Sequence, residues 1–139
     1  MNEEKKCVMV IDENLPLGLI ANTAAILGNT MGSHYPDLVG ADVSDKEGNE
    51  HMGIISIPIP ILKGNKDVLM DLINKLSDEK YKDIVVADFS DVAQSCNIYD
   101  EYIEKISKVN LGEMNYFGLA LYGNKKLINK LTGSMGLLR

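Results

Sequence analysis

Five consecutive apolar residues, Cys7-Val8-Met9-Val10-Ile11, include three β-branched side chains. A run this short and this apolar reads as a strand buried on both faces, which requires helices on both sides of a sheet. The residues that follow fit that requirement. Asn14 and Pro16 break the run, and Pro16 suits the first turn of a helix, where its missing N–H costs nothing. Leu17, Ile20, Ala21, Ala24, Ala25 and Met31 then recur at near-helical spacing. They predict an amphipathic helix with small residues on its packing face. Gly28 and Gly32 are expected to weaken or end it.

The alternation continues along the chain. Val39 and Val43 hint at a short strand, and Lys46-Glu47-Gly48-Asn49 is a turn signal. Gly53 to Leu62 is rich in isoleucine, but Pro58 and Pro60 predict an edge strand or one that ends by Pro58. Gly64-Asn65 marks a turn and N-cap. Asp67 to Leu76 is helical, with Val68, Leu69, Leu72, Ile73 and Leu76 on one face. Ile84 to Asp88 reads as a second buried strand, Val92 to Asn110 as helix broken near Asn97, and Tyr116 to Tyr122 as a strand. Lys125 to Leu131 forms a last helix closed by Gly133, and Met135 to Arg139 packs down as a tail or short strand. No repeat or linker interrupts, so residues 1–139 read as one domain. Strand–helix alternation predicts the α/β class: a three-layer sandwich with a mostly parallel sheet.

Composition removes several functions. The chain has 139 residues, 45% apolar and 24% charged, enough for a real core. Twenty acidic residues against 14 basic ones give a net charge of -6. That argues against a broadly basic, nucleic-acid-coating surface, though not against a local patch. No apolar run nears the roughly 18 residues of a membrane span. The charged stretch Met1 to Lys6 precedes only the short run ended by Asp12 and Glu13, which is no secretory signal. Cys7 and Cys96 can form at most one disulfide, and Cys7 reads as a buried free thiol, so a reduced, cytoplasmic protein is expected. Two cysteines and two scattered histidines lack zinc-ligand spacing. Asp42, Asp45, Glu47 and Glu50 do not match a calcium loop. Neither a metal nor a cofactor is expected.

Candidate site residues remain. Leu17-Gly18-Leu19 opens a helix after a strand but lacks the dinucleotide fingerprint and a P-loop lysine. Asn22 and Thr23 sit among apolar residues, where they either bond to the backbone or, for Asn22, line a pocket. His51 follows an acidic loop and can act as a general base beside a carboxylate, or simply hold the loop. Asp88 ends a strand, where open α/β sheets place ligands. Ser90 or Asp91 is expected to cap the next helix. Ser95-Cys96 carries no nucleophile signature. Lys125, Lys126, Lys130 and Arg139 bias the C-terminal quarter toward phosphate contact or plain solvation. Tyr99, Tyr102, Tyr116 and Tyr122 offer an aromatic interface patch, with core packing as the alternative.

A family resemblance enters through the chain's end. Lys125-Lys126-Leu127-Ile128-Asn129-Lys130-Leu131-Thr132-Gly133-Ser134-Met135-Gly136-Leu137-Leu138 resembles the C-terminus of type II peptidyl-tRNA hydrolases. Gly118 to Gly123 looks like that family's last strand, Val85-Val86-Ala87-Asp88 like its strand ending in Asp, and Leu17 to Ala21 like its helix start. The pattern is more closely similar to a bacterial family of uncharacterised proteins, a domain of unknown function with a peptidyl-tRNA hydrolase II-like fold. Asn22, Gly40-Ala41-Asp42, Asp45-x-x-Gly48-x-x-His51 and Pro58-Ile59-Pro60-Ile61-Leu62 carry this likeness. It implies a mixed sheet of about four strands between helices, the last strand antiparallel to the others.

The departures direct the functional expectation. The hydrolases' lysines around the helix-start glycine are Leu17 and Leu19 here, and apolar side chains cannot hold a phosphate. After Asp88 the family's Gly-x-Thr-Gln is absent, and an extra helical segment, Tyr99 to Val109, intervenes before the last strand. The expected function is therefore small-molecule binding, or an unidentified small-molecule activity, at Asn22, His51 and Asp88. Asp88 would be the acceptor or base, without efficient peptidyl-tRNA hydrolysis. The alternatives are a divergent peptidyl-tRNA hydrolase and a non-catalytic dimeric interaction module. A homodimer is expected on base rates and from the resemblance.

Overall fold

The computed structural model describes residues 3–139; Met1 and Asn2, the start of the charged N-terminal stretch, lie outside the described residues. The elements are β1 (Lys5–Asp12), α1 (Leu17–His34), β2 (Val43–Ser44), β3 (Glu50–His51), β4 (Ile61–Gly64), α2 (Lys66–Leu76), β5 (Val85–Ser90), α3 (Asp91–Gln94), α4 (Tyr99–Ile106), β6 (Tyr116–Asn124) and α5 (Lys125–Thr132). Among the described residues, no helix is long and apolar enough to cross a membrane.

Four strands form one sheet in the order β4-β1-β6-β5. β1 runs parallel to β4, and β6 runs antiparallel to both β1 and β5. The sheet is thus mixed, as the resemblance implies. The expectation of a mostly parallel sheet is corrected: β6 inserts between two strands that run the other way, leaving one parallel pair among the described residues.

The uniform apolarity of β1 has a direct cause. Its side chains alternate between faces, and both faces are covered. Val8 and Val10 pack with Leu69 and Leu72 of α2, Leu119 and Leu121 of β6, and Ile128 of α5. Cys7, Met9 and Ile11 pack with Leu27 and Met31 of α1 and with Ala87, Phe89 and Ala120. Cys7 is a free thiol, and burial pushes its pKa up.

Helix α2 starts where its cap is: the Asn65 side chain accepts from the Val68 N–H at 2.9 Å. Helix α1 does not stop at Gly28 or Gly32 but runs to His34. Glycine inside a helix costs only about 1 kcal/mol, and burial of Thr23, Leu27 and Met31 against the sheet outweighs it. Thr23 takes the backbone option, donating to the Leu19 carbonyl at 2.7 Å.

The isoleucine–proline segment forms its strand later than expected. The ladder begins at Ile61, because neither Pro58 nor Pro60 has an N–H to give it; the Pro60 carbonyl still accepts from Met9 at 2.9 Å. The tail then closes this edge. Lys63 donates to Gly136 and Leu138 to Ile61, each at 2.9 Å. At the other edge, Val86 and Asp88 of β5 are exposed, so only the Ala87–Phe89 side of that strand is buried. The expected strand buried on both faces is corrected here, since β6 is its one partner in the described sheet and no helix covers the Val86 side chain.

Residues 38–56 form an arm outside the sheet. Its tip is the β2–β3 hairpin, turned at Gly48 with φ of 86°. Behind the tip, Gly40 donates to the Ile54 carbonyl at 2.9 Å and Ser56 to Leu38 at 2.8 Å.

Candidate functional site

Edge strand β5 carries Asp88 into a cavity of about 410 Å³. One wall is the middle of α1, with Ile26 and Thr30. Phe89 and Ala93 form the floor. The far wall is the break between α3 and α4, with Cys96, Asn97 and Ile98, followed by Tyr99 and Tyr102 in the first turns of α4. The break expected near Asn97 thus separates α3 from α4 and lines the cavity itself.

Asp88 is the one charged side chain among those lining the cavity. It keeps a path to solvent, yet the surrounding apolar walls strip enough water to push its carboxyl above the ordinary carboxylate range. The hydroxyls of Tyr102 and Tyr116 are pushed up too, first by burial and then by the Asp88 charge nearby. Tyr99 and Tyr102 meet edge to face, with centroids 5.6 Å apart at 68°. The Cys96 thiol donates to the Val92 carbonyl at 3.2 Å.

The raised Asp88 pKa has a consequence for folding. Ionised Asp88 is less favourable in the folded chain than in the unfolded one. Its cost to stability is thus present above the folded pKa, fades as pH falls, and is gone below the unfolded value of about 3.9. Asp88→Asn is expected to raise the thermal midpoint at neutral pH and to leave it unchanged near pH 3. Calorimetry at the two pH values checks this; an equal gain at both would refute it.

The other expected site residues lie elsewhere. Asn22 is exposed on α1, one turn before Ile26, and does not line the cavity. His51 belongs to the arm, where its Nε2 lies 2.9 Å from Asp45 Oδ2. Asp45 also accepts from the N–H groups of Glu47 and Asn49. The His51 contact leads the effects that hold the Asp45 carboxyl below its usual range. This is the loop-holding option for His51. Lys125 pairs with Glu4 at 3.1 Å. Asp88 sits opposite Leu119 in the ladder, so Lys125, six positions further along, is roughly 20 Å away at strand rise.

Neither Ser90 nor Asp91 caps α3 through its side chain. A register shift between Phe89 and Ser90 turns Ser90 inward, and its hydroxyl is buried without a partner among the described residues. Asp91 instead accepts from the main-chain and side-chain N–H groups of Asn115, each at 3.1 Å. The four tyrosines also divide. Tyr116 is core, Tyr122 packs on Tyr35 at 5.3 Å, and only Tyr99 and Tyr102 meet at the cavity.

The family profile described as "Protein of unknown function (DUF2000)" matches residues 5–139. The chain belongs to the DUF2000 family. The match runs from β1 to the C-terminus, so the arm, Asp88 and both cavity walls all lie within the DUF2000 region. Atu0240, a protein of unknown function from Agrobacterium tumefaciens strain C58, has a similar structure: the TM-score is 0.86 at 17% identity, covering 99% of this chain and 98% of that one. At this identity the likeness is one of fold. No protein of curated function matches the DUF2000 chain.

Of the lining residues, the sequence singles out Asp88 as a candidate site residue and Tyr99 and Tyr102 only as an aromatic patch. Ile26 and Thr30 carry a weak signal, being four positions apart on one face of α1. Tyr99 and Tyr102 stand out as aromatics three apart in a short helix, yet nothing local says that they face Asp88.

Proposed function

We propose that this DUF2000 chain binds a small molecule in the Asp88 cavity and does not hydrolyse peptidyl-tRNA efficiently. One observation carries the reading: the cavity holds a single carboxylate among apolar and aromatic walls, with no lysine, arginine or histidine lining it. Its volume falls within the roughly 300–1,000 Å³ of small-ligand sites. A polyanion would meet a repelling charge there. The lysines of α5 begin at the far end of β6, and Leu17 at the start of α1 is exposed and apolar. Asp88 is the residue placed at the ligand. Asn22 would touch only a ligand that extends out of the cavity along α1. His51 would take part only if the arm's contacts were remade.

The reading sits within a larger one. Residues 1–139 are taken as one cytoplasmic domain, a three-layer sandwich of peptidyl-tRNA hydrolase II-like fold. Helix α1 packing on one sheet face and α2 and α5 on the other supports the three-layer part of that reading. The direct test is peptidyl-tRNA cleavage by the purified protein with Asp88→Asn as control. No turnover above the uncatalysed rate is expected. Turnover that Asp88→Asn abolishes would replace this reading with that of a rewired hydrolase.

A further inference from the structure

We infer that the ligand of the Asp88 cavity is an organic amine, bound as its ammonium ion, with a compact apolar body. The inference rests on the small-ligand reading and names the ligand's chemistry.

Charge decides the first part. Asp88 makes no ion pair or side-chain hydrogen bond among the described residues. Its carboxylate keeps a path to solvent and is left free for a cation that enters the cavity. The element that ends at the cavity, α4, has a partly positive N-terminus, but Asp100 and Glu101 in its first turn already complement it. Helix α1 passes side-on through Ile26 and Thr30, well inside its length, so it offers no free N–H groups there. Nothing at this site invites an anion.

The cation is organic rather than metallic. Among the described residues no three acidic, cysteine or histidine side chains cluster to hold a metal ion. Calcium takes about 6–8 oxygen ligands, and one carboxylate falls far short. An ammonium group needs less. It has three donors, and the residues lining the cavity with Asp88 include the oxygen-bearing Thr30, Asn97 and Tyr102. Tyr99 and Tyr102, packed edge to face at 68°, add aromatic rings to the lining, and a ring face attracts a cation. Ile26 and Phe89 leave the rest of the space to an apolar group.

The test uses the full chain and matched probes. Each set shares one apolar body and differs in its head group: 2-phenylethylamine, 2-phenylethanol and phenylacetate; and tryptamine, indole-3-ethanol and indole-3-acetate. Titrations are followed by amide resonances and calorimetry at neutral pH. In at least one set the amine is expected to bind about tenfold or more tighter than the alcohol, the scale of a charge-assisted hydrogen bond. Shifts should centre on Asp88, Ile26 and Tyr102. Asp88→Asn should remove the amine's advantage and leave the alcohol's binding in place, and its thermal melt checks that the variant is folded. If alcohol and amine bind equally, if the carboxylate binds best, or if Asp88→Asn leaves the amine's advantage intact, the amine inference falls while small-ligand binding stands. If no member of either set binds at millimolar concentration, both fall.

Discussion

Leu121→Ala is expected to lower the stability of the fold by about 2–5 kcal/mol, the usual cost of truncating a fully buried leucine. Leu121 is 0% exposed and lies on the central strand β6, opposite Val8 on one side and Val86 on the other. Its side chain shares a cluster with Leu69, Leu72 and Ile128, so the cavity would open between the sheet and two helices. Those neighbours are held by backbone ladders and helix turns and can collapse only partly into the space. Domains of this size have about 5–15 kcal/mol in total, which makes the loss large. Urea unfolding checks it: the midpoint should fall while the slope stays the same. Leu17→Ala is the control, since Leu17 is 82% exposed and surface changes usually stay within about 0.5 kcal/mol. A Leu121→Ala loss no larger than the control's would contradict the assigned core.

Gly53→Ala is expected to open the arm without unfolding the sheet. At Gly53 the two sides of the arm cross closely: an added Cβ would lie 1.8 Å from the Gly40 carbonyl oxygen and 2.7 Å from its carbon. Both atoms are backbone, so no rotamer change relieves the clash. The strands must separate there, and the hydrogen bonds from Gly53 to Asp42 and from Gly40 to Ile54 are lost. The hairpin beyond the crossing has only two residue pairs of its own, Val43 with His51 and Ser44 with Glu50, too few to hold without support. Lys46, already exposed at the tip, then gains the backbone freedom that trypsin needs to cleave after it. Cleavage after Lys46 under native conditions should accelerate at least about tenfold, because proteolysis follows the open population. The urea midpoint of the sheet should move little. Unchanged cleavage would mean that the arm is held by something other than this crossing.

The elements readable from sequence are those whose cause is local. The stretch from Cys7 to Ile11 is apolar at every position because both of its faces are covered. Asn65 announces α2 with the same side chain that caps it. What was missed depends on distant partners. Pro58 and Pro60 rule out a ladder at their own positions, but that β4 begins at Ile61 depends on β1 lying alongside. Ile84 to Asp88 looks like a strand buried on both faces, yet its edge position is decided by β6, far along the chain. The site divides in the same way. Asp88 stands out in the sequence as a carboxylate closing an apolar run, but the strand continues to Ser90, so Asp88 lies within an edge strand and not at a strand end. Nothing local in the sequence sets the distance of Asn22 or His51 from Asp88, and the residues lining the cavity with it come from α1, α4 and the turn before α4.

The strand order also bears on how the chain leaves the ribosome. β6 is the last strand to be synthesised and the one through which β1 and β5 are joined. β1 can pair with β4 once Gly64 has emerged, but β5 has no strand to join until Tyr116 to Asn124 follows. Until then the nascent chain carries one half-paired strand and one unpaired one, with Ala87 and Phe89 lacking part of their cover. Such exposed edges are where chains pair wrongly with one another. Pairing β1 with β6 also closes a loop of more than a hundred residues, which slows folding. The sheet is therefore completed only once Tyr116 to Asn124 has emerged, and a chain broken off before Tyr116 leaves β1 half-paired and β5 unpaired.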